Sequence, residues 1–155
     1  MSKNPSSLEN HLGYWLRCLS NFVSHGFAAK LEAEGVSVAQ WVVLRTLYDQ
    51  EALNLNEAAE IVGVDKSSLS RMIERLVQKG LVMRQGGINR RTLKLMLTPL
   101  GKKLVPQLAK LADANDKAFF QSLPAKKRQE FLDTIQGLLA ANGWDIATRG
   151  KDRME

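Results

Sequence analysis

Basic side chains are concentrated in one segment of this sequence, residues 66–94. The segment contains eight of the 22 lysines and arginines but only one acidic residue, Glu74. The rest of the chain has 14 basic and 15 acidic residues, so the net charge of +6 comes entirely from this segment. Such a concentration is typical of an element that binds a polyanion, although a solvated basic face would have the same composition. The eight residues are Lys66, Arg71, Arg75, Lys79, Arg84, Arg90, Arg91 and Lys94.

Apolar periodicity before this segment predicts two helices. Leucines and aromatic residues recur at intervals of three and four between Leu8 and Ala33, which is the pattern of an amphipathic helix, and Gly35 marks its end. Ser37 has a side chain suited to capping a second helix, which continues to Tyr48.

Two shorter helices follow and form a pair. Asn56 is predicted to cap the third helix and Asp65 the fourth, which ends at Gly80. Ala59 and Gly63 supply the small residue and the turn glycine that two steeply crossing helices need. This spacing predicts a helix-turn-helix.

After this pair the period changes to two. Leu93, Leu95 and Leu97 alternate along a predicted strand that begins near Thr92, and Gly86-Gly87 provides the turn of a β-hairpin. All three leucines are expected to point inward.

Prolines mark the two last helices. Thr98-Pro99 is expected to begin one helix, with Thr98 as the cap, and Pro106 is expected to bend it or remove one hydrogen bond. Pro124 begins the last helix, which ends at Asn142-Gly143.

The helix-turn-helix and the hairpin together predict double-stranded DNA as the partner. Hydroxyl and cationic side chains on the fourth helix suit base edges and phosphates in the major groove, and arginines at a hairpin tip suit a narrow minor groove. The alternatives are a non-specific architectural DNA-binding protein and a winged helix used for protein contacts. The predicted DNA-binding residues are Lys66, Ser67, Ser68, Ser70, Arg71, Arg75, Arg90 and Arg91.

These motifs together resemble the MarR family of winged helix-turn-helix transcriptional regulators over residues 8–142. The matching segments are Gln40-Trp41-Val42-Val43-Leu44, Asp65-Lys66-Ser67-Ser68-Leu69-Ser70-Arg71, Lys79-Gly80-Leu81-Val82, Asn89-Arg90-Arg91 and Leu97-Thr98-Pro99-Leu100-Gly101. The resemblance implies a mainly α fold with a small β-hairpin wing. It also implies a wing aspartate where this chain has Asn89, which leaves open how the wing is held.

The resemblance further implies a homodimer that pairs through its first and last helices and binds a pseudo-palindromic operator, with repression as the family's commoner mode. The apolar faces of the terminal helices, which exceed what a small core could cover, favour a dimer independently. The expected organisation is a dimerisation helix at 1–36, a DNA-binding domain at 37–98, dimerisation helices at 99–143 and a flexible tail at 144–155.

Small aromatic or phenolic ligands are common in the family, so a binding cleft is a second expectation. Tyr14, Trp15, Arg17 and Trp41 could supply aromatic walls and one cation for an acid, although both tryptophans suit a core as well. Cys18, the single cysteine, could sense oxidants through its thiol or fill apolar space.

Enzyme, metal and membrane functions are not indicated. His11 and His25 are too far apart for a metal pair one helical turn long, and no phosphate loop, nucleophile elbow or cofactor motif is present. No apolar run reaches the roughly 18 residues of a membrane span, and the first ten residues lack a signal-peptide core. We therefore expect a cytoplasmic protein that needs no cofactor.

Overall fold

The computed structural model describes residues 4–89 and 91–144, which form six α-helices and a three-stranded antiparallel sheet. This confirms the predicted mainly α fold with a β-hairpin. Arg90 and residues 145–155, most of the predicted tail, lie outside the described residues.

The first helix begins later than predicted, whereas the second begins at its predicted cap. A short 3-10 turn, Leu8–Asn10, precedes α1 (Leu12–Glu32), so the long helix begins after His11. Helix α2 (Val38–Asp49) has the predicted cap: the Ser37 hydroxyl accepts from the Gln40 backbone N–H at 3.1 Å, and the Gln40 side chain accepts from the Ser37 N–H at 3.0 Å.

The cap predicted for the third helix was wrong. Helix α3 (Leu55–Val62) is capped by Asn54, whose side chain accepts from the Glu57 N–H at 2.9 Å while Glu57 accepts from the Asn54 N–H at 2.8 Å. Asn56 lies inside the first turn, where its side-chain oxygen is buried without a hydrogen-bond partner. Helix α4 (Lys66–Gln78) begins at the predicted cap, Asp65.

Strand β1 (Leu53–Asn54) was not predicted, because two residues are too short to show a period. It pairs with β3 (Lys94–Leu97), which also pairs with β2 (Val82–Gln85), so that β3 is the central strand. Leu95 and Leu97 are buried as predicted, but Leu93 is only half-buried because the turn continues to that residue and the strand begins at Lys94.

Helices α5 (Pro99–Phe120) and α6 (Ala125–Ala141) complete the chain. Thr98 caps α5 as predicted, and its hydroxyl accepts from the Gly101 N–H at 3.0 Å. Pro106 does not end α5, which continues to Phe120. None of the helices in the described part of the chain is long and apolar enough to cross a bilayer.

One apolar core holds these elements together. It contains side chains from the second half of α1, from α2, α3 and α4, from the sheet and from the first half of α5. Phe27 is the first buried residue of α1, Asn115 is the last buried residue of α5, and α6 has none. We call residues 27–115 the lobe, and residues 12–26 and 116–141 the arms.

Alanine substitutions of Asn54 and Asn56 test which of the two residues caps α3. Asn54→Ala removes both bonds of the capping box and should lower the free energy of unfolding by about 1 kcal/mol. Asn56→Ala removes a side-chain oxygen that has no partner and should change it by less than about 0.5 kcal/mol. Urea unfolding followed by circular dichroism measures both, and a larger loss for Asn56→Ala would contradict the assignment.

Candidate nucleic-acid interface

The buried side of α4 determines which of its polar residues face outward. Leu69, Ile73 and Leu76 are at most 1% exposed and define the inner face. Because successive residues of an α-helix are about 100° apart, Ser67 and Arg71 lie opposite that face. Both are exposed, so they form the outermost part of α4 in its first two turns.

The N-terminus of α4 is fixed by Asp65. The Asp65 carboxylate accepts from the Ser68 N–H at 2.9 Å and from the Ser68 hydroxyl at 2.6 Å. The hydroxyl bond, together with the backbone bonds, lowers the pKa of Asp65 from its ordinary value and so favours the charged cap. The negative charge stabilises the positive end of the helix dipole.

Two of the three serines on α4 use their hydroxyls within the helix. Ser68 donates to Asp65, and Ser70 donates to the Lys66 carbonyl at 2.9 Å. Among residues 4–89 and 91–144, the Ser67 hydroxyl has no hydrogen-bond partner, and it lies on the outer face. Ser67 is therefore the serine best placed to donate to an external acceptor.

Two cations of the basic segment tie α4 to its neighbours. The Lys79 ammonium donates to the Gly35 carbonyl in the α1–α2 turn, and the Arg84 guanidinium on β2 pairs with Glu74 on α4. The single acid of the segment is thus neutralised. Lys66, Arg71 and Arg75 are exposed and have no ion pair within the described parts of the chain.

Asn89 holds the tip of the hairpin without a charge. Its side-chain oxygen accepts from the Arg91 N–H at 3.0 Å, and from the N–H and the hydroxyl of Thr92 at 3.1 Å each. Gly87 has φ 72°, and a Cβ there would lie 2.2 Å from the Thr92 carbonyl carbon, so the turn requires glycine. The exposed Arg91 is presented on this closed turn, and the adjacent Arg90 is outside the described residues.

The residues predicted to bind an aromatic ligand lie in two places. Tyr14 and Trp15 form an edge-to-face pair with ring centroids 5.4 Å apart on the arm, where Arg17 is exposed. Trp41 packs edge-to-face against Phe27 at 6.0 Å, in the lobe. Phe27 lies roughly 18 Å along α1 from Trp15 at 1.5 Å per residue, so one protomer does not bring the four together.

Cys18 lies one turn along α1 from Tyr14. The thiol is half-buried, and its interaction with the Tyr14 hydroxyl raises the pKa of that phenol.

A cleft between α1 and α4 was missed by the sequence analysis. Its volume is about 860 Å³, and it is bounded by the second half of α1, the Gly35 turn and the side of α4 that carries Arg75. Its walls come from segments some forty residues apart, so no local motif predicts it. Its polar and apolar lining includes His25, Glu32, Gln40, Arg71, Met72 and Arg75.

Comparison with known proteins agrees with this geometry. The sequence pattern of the MarR family matches residues 36–91, which contain α2, α3, α4 and part of the hairpin. The transcriptional regulator HosA of Escherichia coli is 24% identical over 134 residues, covering 86% of this chain and 98% of HosA. The transcriptional repressor MdtR of Bacillus subtilis is 31% identical over 100 residues, covering 64% of each chain.

Solved structures share the fold over most of the chain. BpsR of Bordetella bronchiseptica, solved in a study of the regulation of its DNA binding by 6-hydroxynicotinic acid, superposes with a TM-score of 0.76 at 24% identity, covering 88% of this chain and 99% of BpsR. A MarR-family protein of Mycobacterium tuberculosis in complex with p-aminosalicylic acid gives 0.70 at 25% identity, covering 83% and 98%. With a helix-turn-helix, a wing and these relatives, the chain contains the MarR-family sequence pattern at residues 36–91 and has the fold of the MarR family's winged helix-turn-helix regulators.

Proposed function

We propose that this chain is a repressor that binds a pseudo-palindromic operator as a homodimer and is released by a small aromatic acid. The observation that carries the proposal is the outer face of α4, where Ser67 and Arg71 are exposed beside a wing that presents Arg91. A helix of this kind fits the major groove, and the wing then reaches the adjacent minor groove.

Different side chains have different roles in this proposal. Arg71 and Ser67 read base edges or the flanking phosphates, because they lie farthest from the core. Lys66 and Arg75 bind phosphates on either side, while Arg91 enters the minor groove with Arg90 on its phosphates. Ser68 and Ser70 contribute mainly to the geometry of α4, since their hydroxyls donate within it.

The arms support the homodimer. Helix α6 has no buried residue, and large apolar side chains are exposed on both arms, including Leu12 at 68%, Phe22 at 72% and Leu138 at 51%. Exposed apolar surface on this scale is typical of a protein interface. A two-fold dimer would place its two recognition helices, the α4 helix of each copy, in successive major grooves, roughly 34 Å apart.

The ligand class rests on the relatives and on two features of this chain. BpsR is regulated by 6-hydroxynicotinic acid and the mycobacterial protein binds p-aminosalicylic acid, and both ligands are aromatic acids. Here, Tyr14, Trp15 and Arg17 all lie in the first half of α1, and Met72 and Arg75 both line the cleft between α1 and α4. Either place combines apolar surface with a cation, and a ligand in the cleft would hold Arg75 away from DNA.

Substitution of Arg71 tests the proposed function. DNA sites are first selected by the full chain from a random-sequence library. Arg71→Ala should then weaken binding to the selected site by about 1–3 kcal/mol, the range for a good base contact. The thermal midpoint should not change, because the side chain is exposed and unpaired. Lys110→Ala, which removes an exposed cation from α5, is the control and should bind as the unmodified chain does. Unchanged affinity of Arg71→Ala would refute the placement of α4.

The two adjacent serines provide a matched pair. Ser67→Ala removes an unpartnered outer hydroxyl and should cost about 1 kcal/mol of DNA binding. Ser68→Ala should cost less affinity and should instead raise the pKa of Asp65, measured by NMR titration of its carboxyl carbon. Because the pKa of Asp65 is lowered in the folded state, the charged cap stabilises the fold at pH values above the unfolded-state pKa. This stabilisation is lost as the pH falls through the folded-state pKa. Ser68→Ala should weaken this acid dependence, and the reverse pattern of affinities would exclude the assignment.

The dimer is tested on the arm with a control in the lobe. Leu12→Asp places a charge in the proposed interface and should yield monomers, because an unpaired buried charge is costly. Leu100→Asp replaces a comparably exposed leucine, 55% exposed, at the start of α5 near Gly80 and should leave the dimer intact. Sedimentation equilibrium reports both masses, and a Leu12→Asp dimer would argue against pairing through α1.

A further inference from the structure

A buried amide connects α5 to α1 at the edge of the core. Asn115 is 5% exposed, and its side-chain nitrogen donates to the Val23 carbonyl at 3.1 Å. Its side-chain oxygen accepts from the Lys30 ammonium at 3.4 Å. Both bonds join residues of α5 and α1 that are far apart in sequence, so their geometry depends directly on how the two helices are aligned.

The glycine opposite this amide has no room for a side chain. A Cβ at Gly26 would lie 2.9 Å from the Asn115 side-chain oxygen, closer than real Cβ contacts. Glycine inside a helix costs about 1 kcal/mol relative to alanine, so its presence in the middle of α1 needs a local reason. The close approach of Asn115 supplies that reason.

This contact lies where the lobe meets the arms. Phe27 and Asn115 are the outermost buried residues of α1 and α5, and the described residues beyond them on the arms are half-buried or exposed. The contact is therefore the last well-packed point between the two helices before the surface proposed to pair with a second copy.

We propose that Asn115 is a positioning residue that fixes the angle between lobe and arms, and through it the separation of the two recognition helices. The inference rests on the dimer and the DNA binding proposed above. Apolar contacts are non-directional and tolerate neighbouring alignments of two helices. A buried amide is satisfied in few of them, which is how single polar residues specify register in helix pairs.

Asn115→Leu tests the proposal because it keeps the branched shape and removes both bonds. The Val23 carbonyl remains inside α1 and the half-buried Lys30 ammonium can reach water, so neither partner is left buried without a hydrogen bond and the variant should remain folded and dimeric. Gln107→Leu, on the exposed side of α5, is the control. Gly26→Ala should reproduce the effect from the other helix by displacing the amide.

The first readout is the preferred spacing of the operator. The probes are DNA duplexes that carry the two half-sites selected by the unmodified chain. In one duplex the half-sites have the selected spacing, and in the others the spacing is one or two base pairs longer or shorter. The unmodified chain and Gln107→Leu should prefer the selected spacing by about tenfold or more over its neighbours. Asn115→Leu and Gly26→Ala should reduce that preference to within about threefold while binding a single half-site unchanged.

The second readout needs no DNA. Spin labels at Gln78→Cys on α4 and Gln136→Cys on α6, in a Cys18→Ser background and diluted into unlabelled chain, report the distance from lobe to arm within one protomer. Asn115→Leu should broaden this distribution and Gln107→Leu should not. An unchanged distribution and spacing preference, or loss of folding in Asn115→Leu, would overturn the proposal. A chain that selects no paired half-sites would instead contradict the function proposed above, and the distances would still decide the role of Asn115.

Discussion

Burial of one side of α4 is the interaction on which the rest of the structure depends. Leu69, Ile73 and Leu76 each lose nearly all of their surface to the core, and truncation of such a side chain to alanine typically costs about 2–5 kcal/mol. This burial fixes the rotation of α4 about its axis, and the rotation determines which side chains can reach DNA. The same serines and arginines on a helix turned by half a turn would face the core.

Polar contacts then fix the position of both ends of α4, and one of them joins α4 to strand β2 of the wing. Asp65 caps the first turn, Lys79 ties the last turn to the α1–α2 connection, and Arg84 joins β2 to Glu74. Lys79 and Arg84 come from the same basic segment as the proposed DNA contacts. The segment therefore contains two kinds of cation, those that hold α4 in place and those that remain available to a phosphate or a base.

Much of this architecture could be predicted from the sequence, because the signals are local. Ser37, Asp65 and Thr98 cap their helices as their side chains suggest, and the alternation around Leu95 predicts the central strand. The Asn54 cap was missed because the first turn of α3 offers two asparagines two positions apart. Only the fold shows that Asn54 ends a strand and is free to bond back to Glu57.

The features that could not be predicted join distant segments. The pairing of β1 with β3, the Arg84–Glu74 pair, the cleft between α1 and α4 and the Asn115 contact all depend on tertiary packing. Asn89 is an intermediate case. From the sequence alone, the rigidity of the wing stayed open at this residue, and the three bonds to its side-chain oxygen show that an amide can hold the turn.

The proposed function assigns DNA binding to the outer face of α4 and the wing, and pairing with a second copy to the arms. The measurement that tests this account most directly compares equilibrium binding of the full chain to its selected duplex and to a scrambled duplex of the same composition at physiological salt. The account predicts a preference of roughly a thousandfold or more for the selected duplex, the lower end for specific DNA-binding proteins. Equal affinities that fall together as salt is added would show binding by charge alone and would contradict it.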